Sequence, residues 1–186
     1  KRAVQDSLLG TGPKSYLTLS YGQPFIVEET LKDYAAGINY TFGLGRRNMF
    51  RLDSKDIDVG LEINWFDFTT DLEDQDLQTI SYFLVAQLDP RLAWSWIPST
   101  LETAIKIGAG AVSPGYGATL GGSAVFNLLP TPIIIGATTQ FNWVSGAITE
   151  DTRTYWITFG LMFGVNLQDK IPEIFDIDIP NIFDIF

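Results

Sequence analysis

From Ile107 to Thr149 the chain carries no Asp, Glu, Lys or Arg, and what such a run can fold into is narrowly limited. It exceeds the length of about 20 residues with which an apolar helix spans a bilayer. Its composition rejects a helix, because Gly108, Gly110, Gly115, Gly117, Gly121, Gly122 and Gly136 are joined by Pro114, Pro130 and Pro132, and each of these weakens or breaks a helix interior. The period points the same way. In the next segment, Tyr155, Ile157, Phe159, Leu161, Phe163, Val165 and Leu167 alternate with Trp156, Thr158, Gly160, Met162, Gly164 and Asn166, which is the two-residue repeat of a strand with unlike faces.

This alternation recurs along the chain and predicts eight strands, at 15–22, 35–46, 56–68, 79–88, 101–112, 117–129, 133–144 and 153–167. Several reach the roughly 9 to 11 residues that a tilted strand needs to cross the hydrocarbon layer. The phase of the charges then decides between water and lipid. In 56–68 the apolar set Ile57, Val59, Leu61, Ile63 and Trp65 opposes Asp58, Gly60, Glu62, Asn64 and Phe66. In 101–112 the set Leu101, Thr103, Ile105, Ile107 and Ala109 opposes Glu102, Ala104, Lys106, Gly108 and Gly110. Strand charges thus share a face with small residues. A soluble barrel turns its apolar face inward, whereas a narrow polar lumen inside an apolar belt produces the observed phase. Unpaired backbone groups in hydrocarbon cost several kcal/mol each, so such a sheet must close on itself. The predicted fold is all-β: an eight-stranded antiparallel up-and-down transmembrane barrel over 15–167, an N-terminal periplasmic segment over 1–14, and a C-terminal extension over 168–186. Its interior is expected to hold packed side chains.

With the N-terminus in the periplasm, Tyr21, Trp65, Tyr82, Trp143 and Tyr155 fall near one rim on the lipid-facing phase, the arrangement of an interfacial aromatic girdle. Connections near Arg47–Lys55 and Asp89–Thr100 are expected to be long.

Composition removes several functional classes. A net charge of -10 opposes nucleic-acid binding, which draws its affinity from clustered Lys and Arg. The sequence has no His and no Cys, so the commonest general base, the commonest transition-metal ligand and thiolate chemistry are all missing. No cofactor and no metal centre is expected.

At this point the chain resembles the small outer-membrane barrel class typified by the OmpA transmembrane domain, OmpX and OmpW, over about 15–167. Thr158, Gly160, Phe163 and Val165 match the spacing of that class's terminal assembly signal, although here further residues come after the signal-bearing strand. The resemblance implies an integral protein of the Gram-negative outer membrane, in contact with the bilayer and lipopolysaccharide. The acyltransferases, deacylases and proteases built on small barrels rely on His, so an enzyme is not expected.

The residues suggest three candidate sites. Glu62 and Lys106 near mid-height, with Asp58, Glu102 and Arg47 nearer one end, predict a polar network inside the lumen, since a charge in a narrow lumen needs a partner or trapped water. Asp67, Asp71, Glu73, Asp74 and Asp76 crowd one connection; the last four are candidate divalent-cation ligands, against the plainer reading of a solvated loop. Finally, Ile171-Pro-Glu-Ile-Phe-Asp-Ile177 is repeated as Ile179-Pro-Asn-Ile-Phe-Asp-Ile185 before Phe186. Ile174, Phe175, Ile177, Ile182, Phe183, Ile185 and Phe186 are the candidate docking residues of this tail, with a protein partner as the leading occupant. The expected function is that of a non-catalytic anchor or scaffold subunit; the alternative is an OmpW-like conduit for small hydrophobic molecules, suggested by Phe66, Phe83, Val112, Val125 and Val144 on the lumen phase.

Overall fold

A computed structural model describes residues 15–27, 31, 35–52, 55–69, 77–89, 101–113, 115–128, 131–146 and 153–167. These form β1 (Ser15–Val27), β2 (Ala35–Ala36), β3 (Asn39–Leu52), β4 (Lys55–Thr69), β5 (Leu77–Leu88), β6 (Leu101–Val112), β7 (Gly115–Asn127), β8 (Ile133–Ser145) and β9 (Arg153–Leu167). The two residues of β2 pair with the end of β4 and continue the line of β3 past Gly37 and Ile38, so the nine segments make eight staves. Each stave pairs antiparallel with its neighbour in sequence, and β1 pairs with β9 to close the barrel.

The strands are strongly tilted. Tracing cross-strand partners from Ser15, at what is here the lower end of the barrel, leads through Arg46, Val59, Ala86, Ile107, Leu120, Phe141 and Ile157. The path returns to β1 at Ile26, well above the starting residue. That offset is the stagger that closing a sheet requires.

Most strand ends fall within two residues of the expectation, and two lie five or more residues beyond it. The 47–55 stretch is not a long connection, because β3 runs on to Leu52 and β4 begins at Lys55. The alternation is broken there by a bulge between Arg46 and Phe50, where Asn48 adopts φ 54°, and a bulge shifts the side-chain phase so that a strand ceases to look like one. The first strand also extends beyond Gly22 to Val27, across a second bulge between Pro24 and Ile26.

Inside the barrel, Gly45 and Gly60 are paired partners on β3 and β4, and together they make a ledge on which the Tyr16 ring lies. A Cβ on Gly60 would come 2.7 Å from the Tyr16 hydroxyl, and one on Gly45 would sit inside contact distance of the ring. Gly45→Val is therefore expected to cost about 1–3 kcal/mol through overpacking, read as a lower urea midpoint for the barrel refolded in vesicles. Adding Tyr16→Ala should make the combined loss smaller than the sum of the single losses, since the two side chains compete for one volume.

Candidate functional site

The lumen is built in three layers because each strand contributes alternate residues to it, and their character changes along the strand. At the lower end, Arg47 forms an ion pair with Glu102, donates to Asn166 Oδ1 at 2.9 Å and stacks its guanidinium 5.9 Å from the Tyr16 ring centre. Asn127 donates to the second Glu102 oxygen at 3.0 Å and accepts from Asn166 at 3.2 Å. Asp58 accepts the backbone N–H of Asn48 at 2.8 Å. Above this floor lies Tyr16, whose hydroxyl accepts from Gln87 Nε2 at 2.7 Å.

The middle layer is a cross-brace. Lys106 Nζ donates to both Glu62 oxygens, at 2.6 and 2.8 Å, and to Gln140 Oε1 at 3.4 Å. Gln140 in turn donates to Asn142 Oδ1 at 2.9 Å and to Asn64 Oδ1 at 3.4 Å. Asn64 accepts from Thr41 at 2.6 Å and donates to Ser81 at 3.1 Å. Side chains from β3, β4, β5, β6 and β8 thus meet in one network. The Lys106 stem crosses Gly121, where a Cβ would come 2.9 Å from its Cε.

The upper layer is apolar. Leu31, Phe66, Phe68, Phe83, Val85, Val112, Val144 and Trp156 form one buried cluster, with Trp156 edge-on to Phe66 and Phe68 at centroid distances of 4.6 and 5.2 Å. Asn64, Ser81, Phe83, Phe68 and Val144 are each 0% exposed, so water touches none of them.

The outer surface has the opposite character. Leu19, Phe42, Leu61, Leu84, Ile107, Leu120, Phe141, Phe159 and Leu161, contributed by all eight staves, are exposed, while the charged and amide side chains of the network face inward. A closed sheet that is apolar outside and polar inside is stable only when its surroundings are hydrocarbon. The chain is a small integral membrane β-barrel.

No protein-family model matches this barrel, and no curated protein matches it. Solved structures similar to it include Neisserial surface protein A (10% identity, TM-score 0.49, covering 82% of this chain and 97% of that one). The outer membrane enzyme PagL gives 9% identity and a TM-score of 0.45, over 81% of this chain and 98% of that one. The Yersinia pestis outer membrane protein Ail, in a phospholipid bilayer nanodisc, gives 17% identity and a TM-score of 0.44, over 82% of this chain and 99% of that one.

The five predicted network residues fall into two groups. Glu62 and Lys106 meet in the middle layer; Arg47, Glu102 and Asp58 lie in the floor, and Gly60, beneath Tyr16, separates Asp58 from Glu62 along β4. The sequence pattern does not single out the amides Asn64, Gln140 and Asn142 that join the middle layer, nor Tyr16, Phe68, Trp156 and Leu31. Tyr21, Trp65, Tyr82, Trp143 and Tyr155 all face outward toward the upper end, although Trp143 is only partly exposed. Tyr40 and Tyr116 join them: Tyr21 pairs with Tyr40 and Tyr40 with Trp65, and Tyr116 packs on Trp143 at 5.8 Å. Asp67 lies near the end of β4. Asp71, Glu73, Asp74 and Asp76 lie outside the described residues, as does the tandem tail.

Proposed function

We propose that this barrel is a non-catalytic anchor or scaffold subunit of an outer-membrane assembly, held by the bilayer and lipopolysaccharide, with its tandem tail docking on a partner protein. The observation that carries this reading is the filled lumen: the Lys106–Glu62 brace and the apolar cluster above it lie across the bore in succession. Such an interior serves rigidity better than passage. The tail supplies the contact surface, since each copy offers an Ile-Phe pair that water does not favour.

Two measurements on the full chain test it. In proteoliposomes, ion flux is expected to equal that of protein-free vesicles; a steady conductance would sink the passive reading. In native membranes, removing residues 168–186 is expected to abolish a co-purifying protein, and an unchanged set of partners would sink the docking role. The conduit reading draws on Phe66, Phe83, Val112, Val125 and Val144, all buried in the lumen. The polar brace beneath most of them stands in the way of an apolar solute, so uptake of a small hydrophobic dye is expected to remain at the protein-free rate.

A further inference from the structure

The lower rim of the barrel is charged on one side and apolar on the other. Where β3 turns into β4, the cross-strand pairs nearest the turn are Arg51 with Asp56 and Leu52 with Lys55, a hairpin suited to headgroups and water. Where β7 turns into β8, the Leu128 N–H donates to the Ile133 carbonyl at 2.9 Å and the Thr131 N–H to the Leu128 carbonyl at 2.8 Å. The segment 107–149 to which this turn belongs carries no Asp, Glu, Lys or Arg. On its outward face Phe126, Leu128 and Ile133 are 54%, 46% and 44% exposed.

Register fixes the depth of this patch. Trp143, in the upper aromatic belt, and Ile133 share the outward face of β8 ten residues apart. At about 3.3 Å per residue and a strand tilt of about 40°, that separation spans about 25 Å of depth, the full height of the apolar band of such a barrel. Ile133 therefore marks the lower edge of the hydrocarbon. Leu128 lies opposite it, below the last β7–β8 pair Asn127–Ile134, at the level of headgroups and water. There an apolar side chain gains from a cover that lipid tails do not provide.

The chain itself supplies a cover. β9 ends at Leu167 on the same rim, and the Asn166 N–H donates to the Pro132 carbonyl at 2.8 Å, so the tail leaves within one hydrogen bond of the apolar turn. Two strand spacings, about 10 Å in all, separate β9 from β7. The three residues between Leu167 and Ile171 reach about 10 Å when extended. The first Ile-Pro-x-Ile-Phe-Asp-Ile copy thus begins where the patch lies, whereas the second starts eight residues later. We propose that the first copy, 171–177, docks on its own barrel across Leu128 and Ile133, with Ile174 and Phe175 covering the patch, and that the second copy, 179–185, is the one presented to the partner. So short a tether holds the first copy at an effective concentration of roughly millimolar order, which favours its own barrel over a neighbouring one. This rests on the reading of the tail as a docking element and assigns its two copies different tasks: the first fixes where the second is displayed.

The sequence has no Cys, so introduced thiols report contact without background. In the full chain folded into phosphatidylcholine vesicles, Leu128→Cys with Ile174→Cys is expected to close an intramolecular disulfide about tenfold faster than Leu128→Cys with Ile182→Cys. Tether length alone, seven residues against fifteen beyond Leu167, accounts for only about threefold. Phe50→Cys is the matched control, because β3 stands two staves from β9 in the other direction; its disulfide with Ile174→Cys is expected to form about tenfold more slowly than that of Leu128→Cys. Maleimide labelling of Ile174→Cys alone should rise about fivefold when Leu128→Ser and Ile133→Ser strip the patch. Folding of each variant is checked by gel mobility of unheated samples, and Ile133→Cys replaces Leu128→Cys if the latter does not fold. A ratio no larger than tether length gives, equal rates for Leu128→Cys and Phe50→Cys, or labelling indifferent to the stripped patch would overturn docking on the own barrel. Disulfides formed between molecules instead would make a neighbouring copy's tail the occupant and overturn it too. In native membranes, removing 179–186 alone should abolish the co-purifying protein, and a partner retained by that truncation would overturn the assignment of the second copy. The partner reading fails separately: an intramolecular disulfide with unchanged partners after removal of 168–186 would retire the partner and keep the docked first copy, and partner loss with no such disulfide would do the reverse.

Discussion

Leu84→Arg is expected to destabilise the folded barrel in a bilayer by about 2–4 kcal/mol, the cost of a cation on the lipid face near the midplane. Leu84 lies in the middle part of β5 (Leu77–Leu88), is paired with Leu61 and Ala109 on either side, and is 65% exposed. In a water-soluble protein the same change would fall within about 0.5 kcal/mol, because an exposed leucine makes few contacts worth keeping. The substitution therefore separates the two environments by sign and size. Gln78→Arg, outward on the same strand but close to its upper end, provides the control, with an expected cost of about 0–1 kcal/mol as depth falls. The measurement is a urea titration of folding into vesicles. Equal midpoints for Leu84→Arg and the unsubstituted chain would mean that this face does not meet lipid.

This contrast rests on a property that is legible in the order of residues alone. Side chains in a strand alternate with a period of two, so the face shared by Asp58, Glu62 and Asn64 and the face shared by Leu61, Ile63 and Trp65 separate on sight, and the same pattern marks all eight staves. Alternation fails where a residue is inserted. At Asn48 the bulge moves the chain out of phase, and the stretch from Arg47 to Leu52 looks like a loop although it is strand. Pro24 misleads in the opposite direction. It appears to end a strand, yet β1 passes it with a bulge and stays paired with β9 as far as Val27.

The site is legible by residue type and face, and illegible by partnership. Glu62 and Lys106 are 44 positions apart, and whether they meet depends on the stagger accumulated across β4, β5 and β6, which no local pattern records. The Tyr16 ledge has the same origin: Gly45 and Gly60 look like interchangeable small residues until register places a ring on them. Tyr40 escapes the sequence pattern for a related reason. Its level on the outside comes from pairing with Tyr21 and Trp65, not from its place in its own segment.

Register also explains why Lys106→Met is expected to be the most damaging single change in the lumen, at about 3–5 kcal/mol. Glu62 is 5% exposed, and Lys106 supplies contacts to both of its carboxylate oxygens. Removing the ammonium leaves a buried carboxylate uncompensated, which costs far more than the pair contributes when intact. Adding Glu62→Gln removes the stranded charge, so the double variant should recover most of the loss and exceed Lys106→Met in stability. Equilibrium unfolding of the unsubstituted chain, Lys106→Met, Glu62→Gln and the double variant in vesicles measures this coupling, and single-channel recording on the same samples asks what the brace does. A static plug requires the stability loss and its recovery with no conductance in either well-folded chain. If Lys106→Met instead opened a conducting path at undiminished stability, the pair would be a gate, and the lumen would have to be understood as a pathway held shut by one ion pair.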